Sequence, residues 1–153
     1  MANTYTQLGI HMVTGVKHRK ALILPEIRIR VEKYIVEIIE SRKHKVLEIY
    51  AMPDHIHTFV GMHPTDSILD LIGAWKASSS SFIGEHFNDE FEWQRGYGAF
   101  SVSKRGWPAV QHYIANQEEH HAKTTFREEY KGILLEQDLE FDERYIFEDV
   151  FVG

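Results

Sequence analysis

Cysteine is absent from the 153 residues, which excludes disulfides, thiolate metal ligands and a cysteine nucleophile together. Long apolar runs are missing too. Nowhere do about 18 apolar residues stand together, and the start Met1-Ala2-Asn3-Thr4 has no basic stretch leading into an apolar one. A soluble, cytoplasmic protein without a membrane partner is the expectation. No internal repeat of about 20 to 50 residues is visible, so repeat architectures are set aside.

An excess of positive charge is also lacking, since the formal net charge is −6. The deficit is local. From Glu118 onward there are 11 acidic and 4 basic residues, against 12 and 13 before it, and eight of the ten histidines lie in the earlier part. Residues 1–117 are therefore close to neutral and become more basic with any histidine that protonates, so a nucleic-acid partner is permitted without being demanded.

What remains is ordinary globular material, 43% hydrophobic and 26% charged, long enough for one domain with a core of its own. Tyr5 to Val16 alternates, with Leu8, Ile10 and Met12 on one face and Gln7, Gly9 and His11 on the other, as a half-buried strand does. Lys17-His18-Arg19-Lys20 follows as a basic loop. Behind Pro25, Ile27, Val31, Tyr34, Ile35, Ile38 and Ile39 recur at helical spacing up to Ser41.

Lys45 to Ala51 reads as a second strand, and Met52-Pro53-Asp54 turns tightly into a third, His55 to Met62. On that third strand Ile56, Val60 and Met62 share one face, and His55, His57 and Phe59 the other. Two imidazoles on one strand face can hold a divalent metal; the alternative is the polar side of a half-exposed strand. If helices cover the Ile56 face, the histidines lie on the more open one.

Asp66 and Ser67 are cap candidates for a helix carrying Ile68, Leu71, Ile72, Trp75, Phe82 and Ile83, with Ser78-Ser79-Ser80-Ser81 inside its periodicity. A loop from Asn88 to Gly98 leads to a short strand at Ala99 to Ser103. The order β-α-β-β-α-β is the ferredoxin-like pattern: an α+β fold with a four-stranded antiparallel sheet and two helices on one face. The spacing predicts one further helix from about Trp107 to Thr124, on which Tyr113, Gln117 and His120 share a face. Phe126, Tyr130, Ile133, Leu134 and Leu135 predict a short last helix, and an acidic segment with Leu139, Phe141, Tyr145, Ile146 and Phe147 suggests a tail that docks on a surface. We read residues 1–153 as a single domain, with a core at about 5–103, the tyrosine-bearing helix at 107–124 and an acidic tail at 125–153.

Taken together, Tyr5-Thr6-Gln7-Leu8, Met52-Pro53-Asp54-His55-Ile56-His57, Gly96 through Ser103, and Tyr113-Ile114-Ala115-Asn116-Gln117-Glu118-Glu119-His120-His121 resemble the single-tyrosine transposases of small bacterial insertion sequences. Those enzymes belong to the His-hydrophobic-His endonuclease superfamily and have relatives at repetitive extragenic palindromes. The likeness runs in order from Tyr5 to Phe141-Asp142-Glu143-Arg144-Tyr145. Thr58-Phe59 stands where the family often has aliphatic residues and Val16 near where it has an aromatic, and neither change removes a reactive group.

The resemblance implies that Tyr113 is the nucleophile and that His55, His57 and Gln117 bind Mg²⁺ or Mn²⁺. Asp54, Asn116 and His120 are the candidates for holding these groups in place. It implies single-stranded DNA carrying a hairpin as substrate, a 5′-phosphotyrosine intermediate, and a homodimer in which the tyrosine of one subunit works at the histidines of the other. Lys17, Arg19, Lys20 and Lys76 are candidate contacts to the DNA backbone. The competing readings are a replication-initiation nickase, a non-catalytic or domesticated nucleic-acid-binding ferredoxin-like protein, and a metal hydrolase that releases a free 5′-phosphate.

Overall fold

A computed structural model describes residues 3–142 together with Ile146. Four strands, β1 (Gly9–Gly15), β2 (Lys45–Met52), β3 (His55–Gly61) and β4 (Gly98–Val102), form one antiparallel sheet in the order β2-β3-β1-β4. The two central strands carry the chemistry-bearing residues. In the β1–β3 register Val13 pairs with His57 and Gly15 with His55, and the period of two puts His11, His55 and His57 on a common face.

The opposite face holds the main core. Helix α1 (Arg28–Ser41) buries Val31, Ile35 and Ile39, and helix α2 (Ile68–His86) buries Leu71, Ile72, Trp75 and Ile83. Both pack on Met12, Ile56 and Val60 of the sheet. Pro25 lies in the turn ahead of α1 and not in its first helical turn. Of the two cap candidates, Ser67 caps α2 by accepting from the Asp70 N–H at 3.0 Å. Asp66 has other partners: its carboxylate accepts from the Arg42 guanidinium at 2.8 and 2.9 Å and lies 2.9 Å from His44 Nε2. The serine run is helical as its periodicity requires, and the buried Ser79 hydroxyl accepts the Trp93 indole N–H at 2.9 Å.

The second face is not open, contrary to the expectation from the sequence. Three helices cover it: α3 (Trp107–Ala115), α4 (Gln117–His121) and α5 (Phe126–Glu136). The single helix expected over 107–124 is broken at Asn116, whose backbone leaves the helical region at φ −104°, ψ 29°. Phe126 and Tyr130 of α5 join Val13 and Phe100 of the sheet in a second, smaller core, against which Leu134 and Ile146 also pack. Glu143, Arg144, Tyr145 and Phe147 of the tail lie outside the described residues. Among the described residues no helix is long and apolar enough to cross a membrane.

Trp107 anchors the start of α3. Its ring meets Phe59 edge-on at 5.6 Å, its indole N–H donates to the Val102 carbonyl at 3.1 Å, and Lys104 Nζ stands 3.9 Å from the ring centre. This close seat needs glycine at position 9, because a Cβ there would come 2.5 Å from Trp107 Nε1. Gly9→Ala is expected to push the indole off the sheet and to destabilise the fold by about 1–3 kcal/mol, the usual cost of overpacking. Thermal unfolding measures this; an unchanged midpoint would mean that Trp107 does not hold α3 in place.

Candidate active site

Covering the second face removes the histidines from solvent: His55, His57 and Gln117 are completely buried. Each ring has its Nδ1 turned outward to a partner. His55 Nδ1 is 2.7 Å from the Asp54 carboxylate, and His121 Nδ1 is 2.7 Å from the Thr124 carbonyl oxygen. Both partners only accept, so both Nδ1 atoms carry the proton and donate it. His57 Nδ1 lies 2.8 Å from His11 Nε2, and burial first, then the neighbouring His57, pushes His11 down to about 3, so it stays neutral. His55 also stacks on Phe126, with ring centres 4.0 Å apart and planes at 5°.

The Nε2 atoms turn inward to one carboxylate, Glu129 of α5. Its Oε1 lies 2.9 Å from His121 Nε2, 3.0 Å from His57 Nε2 and 3.3 Å from His55 Nε2. Its Oε2 accepts from the Tyr113 hydroxyl in a short hydrogen bond and from Gln117 Nε2 at 3.0 Å, with His120 Nε2 3.4 Å away. Gln117 Oε1 faces His55 Nε2 at 3.2 Å. Tyr113, His57 and Gln117 therefore converge on one point, although their elements are far apart in sequence.

The charges follow from this packing. Burial would raise the Glu129 carboxyl, but hydrogen bonds from His121, His55 and His57 outweigh it and hold the group well below the carboxylate range. Burial would lower His55, yet its bonds to Asp54 and Glu129 leave it raised. For His57 burial prevails over the Glu129 carboxylate and the ring is lowered. Burial, followed by the Glu129 charge, raises the Tyr113 phenol, so it is protonated at neutral pH.

Among the described residues, His55, His121 and Glu129 offer ligand atoms that all lie within 4.8 Å of one another. That donor set, two imidazoles and a carboxylate, suits a divalent first-row cation. Of the residues singled out in the sequence, Tyr113, His55, His57 and Gln117 are brought together, and Asp54 and His120 lie beside them. Asn116 is at the helix break instead, its amide turned back to the His112 carbonyl at 2.7 Å.

The basic candidates are more scattered. Lys17, Arg19 and Lys20 follow β1 at the end of the sheet where His55 begins, since the Val16 N–H donates to the Asp54 carbonyl at 2.8 Å. Arg19 and Lys20 are exposed, while Lys17 pairs with Glu92 at 3.0 Å. Lys76 donates to the Gln94, Arg95 and Gly96 carbonyls at 2.6, 3.2 and 3.2 Å, which occupies its ammonium with holding that loop. Sequence reasoning missed Glu129, His121 and His11. His121 stood next to a residue already singled out, and His11 was visible on the polar face of its strand; Glu129 gave no signal beyond one more charge in an acidic segment.

Residues 4–117 match the family described as "Transposase IS200 like". The ISDra2 transposase TnpA of Deinococcus radiodurans is 25% identical over 118 residues, spanning 72% of this chain and 84% of that one. A crystal structure of a candidate transposase from Deinococcus radiodurans superposes with a TM-score of 0.63 at 22% identity, covering 76% of this chain and 95% of that one. A tyrosine transposase associated with repetitive extragenic palindromes, solved bound to its hairpin, superposes with a TM-score of 0.60 at 13% identity, covering 81% and 74%. These two likenesses establish the four-stranded antiparallel fold with its helices.

Proposed function

This chain belongs to the IS200-like transposase family, and from that premise we propose that it cuts and rejoins single-stranded, hairpin-bearing DNA through Tyr113, with Mg²⁺ or Mn²⁺ held at His55, His57 and Gln117. The observation that carries this reading is the convergence of the Tyr113 hydroxyl, the Gln117 amide and the inner nitrogens of His55 and His57 on the single carboxylate of Glu129. A nucleophile and a cation-binding set are thereby within reach of one phosphate.

In this reaction the phenolic oxygen bonds to phosphorus, the P–O3′ bond breaks, and a proton ends on the departing 3′ oxygen. The products are a 5′-phosphotyrosine and a free 3′-OH. One phosphate ester replaces another, so a 3′-OH can later attack and rejoin the strands without ATP. The phenol is a weak nucleophile while protonated, and its raised pKa makes help necessary. A bound divalent cation supplies that help by neutralising charge on the phosphate, worth several kcal/mol. The protein's own part is orientation: Asp54 and His11 fix the two rings from outside, and Glu129 aims the phenol.

Arg19 and Lys20, exposed beside the His55 end of the sheet, are the backbone contacts we favour for the DNA. A hairpin substrate is further supported by the hairpin that the palindrome-associated neighbour binds. With one such tyrosine per chain, exchange of two strands calls for two chains, so a homodimer is part of the proposal. Residues 1–153 acting as one domain is likewise part of it.

The test is incubation with Mn²⁺ and hairpin-bearing single-stranded oligonucleotides, followed by denaturing electrophoresis. A covalent protein–DNA band is expected. Cleavage without that band would mean a hydrolase, and binding without cleavage a regulator. In the same assay Gln117→Ala should lose most activity with Mg²⁺ and regain part of it with Mn²⁺, because one neutral oxygen donor is more dispensable than an imidazole. Equal loss with both ions would show that Gln117 serves some other purpose than ligation.

A further inference from the structure

We propose that Glu129 and His121 are direct ligands of the catalytic cation together with His55, so that the site contains a carboxylate beyond the neutral histidine and glutamine donors. This rests on the proposed reading of the site as metal-dependent. It adds to that reading a charged ligand from α5, an element that lies beyond the residues matched to the family.

Three observations carry the inference. The first is spacing: Glu129 Oε1 is 2.9 Å from His121 Nε2 and 3.3 Å from His55 Nε2. Neighbouring ligand atoms on a cation at about 2.1 Å stand roughly 3 Å apart, so these gaps are those of a coordination shell. The second is the orientation of the rings. In both rings Nδ1 is satisfied from outside, by the Asp54 carboxylate and the Thr124 carbonyl, which turns each Nε2, the atom through which the ring would ligate, inward to Glu129.

The third is burial. Glu129 is 5% exposed, and its carboxylate is met by the imidazoles of His55, His57, His120 and His121. Burying a carboxylate costs several kcal/mol that its neighbours have to offset. A divalent cation removes that cost, and the small hard ions prefer a carboxylate to an all-neutral set. The second oxygen of Glu129 remains for Tyr113 and Gln117, so the same group that holds the cation also sets the nucleophile beside it.

The test uses the full chain without DNA and Mn²⁺ alone as probe, with affinity from calorimetry and the number of coupled imidazole nitrogens from electron spin-echo spectroscopy. Glu129→Gln keeps the shape and one acceptor oxygen while removing the charge and replacing the other oxygen by an NH2 donor; circular dichroism establishes that it and His121→Ala are folded. Each should weaken Mn²⁺ binding about tenfold or more, and His121→Ala should remove one coupled nitrogen from the spectrum. Unchanged affinity in both, with loss in His57→Ala, would overturn the inference and leave the histidine-pair site standing. No Mn²⁺ binding by the wild-type chain at millimolar concentration, or no loss in His57→Ala either, would remove both. Tighter binding in Glu129→Gln would show a carboxylate that blocks the site, and would also overturn the proposal.

Discussion

Tyr113→Phe is expected to bind hairpin DNA as the wild-type chain does and to form no covalent adduct, with the cleavage rate down by about four orders of magnitude or more. The substitution removes one hydroxyl. The ring keeps its edge contacts with His57 at 5.7 Å and His120 at 5.3 Å, so its position is retained. Glu129 loses one hydrogen bond but keeps that from Gln117 and its three histidines, which limits the cost to stability to about 1 kcal/mol. Denaturing electrophoresis and a binding assay on the same samples separate the two effects. An adduct of normal yield would move the nucleophile elsewhere. Loss of binding together with cleavage would mean that the hydroxyl serves the fold and not the reaction.

A mixture of Tyr113→Phe chains with chains carrying both His55→Ala and His57→Ala is expected to stay inactive. The resemblance to single-tyrosine transposases implies an exchanged helix, with tyrosine and histidines from different subunits. In this structure the tyrosine stands at the histidines of its own chain, its hydroxyl bonded to the carboxylate that also meets His57. The link after β4 is a short 3-10 turn, Lys104–Gly106, and Trp107 pins the next residue to Phe59 and Val102 of the same sheet. An own-chain site in a mixed dimer always lacks one group: one subunit has no phenol, the other no imidazoles. In an exchanged dimer one of the two sites is complete. The mixture should therefore show at most the residual rate of the weaker parent, down by the same orders of magnitude as above. Adduct formed by verified heterodimers on the chain with the His→Ala changes would sink the own-chain arrangement.

What the sequence by itself determined is local and periodic. Alternation placed His55 and His57 on one face and Ile56 and Val60 on the other because a strand allows no other phase. The helical repeat similarly related Tyr113 to Gln117, and together with the motifs around them these residues were enough to recognise the family. The tertiary structure decided what sits opposite. His11 meets His57 across 46 positions and Glu129 meets it across 72, and nothing in the spacing of either segment encodes the other. The break at Asn116 was also hidden, since asparagine carries no obligatory turn, yet it sets the phase of α4 so that His121 as well as His120 reaches Glu129. Glu129 read as one more charge in an acidic segment. It became the centre of the site because α5 packs Phe126 and Tyr130 onto Val13 and Phe100 and carries the carboxylate between them into the covered face. A sequence shows which groups share a face; only packing of that face against a distant element shows which groups meet.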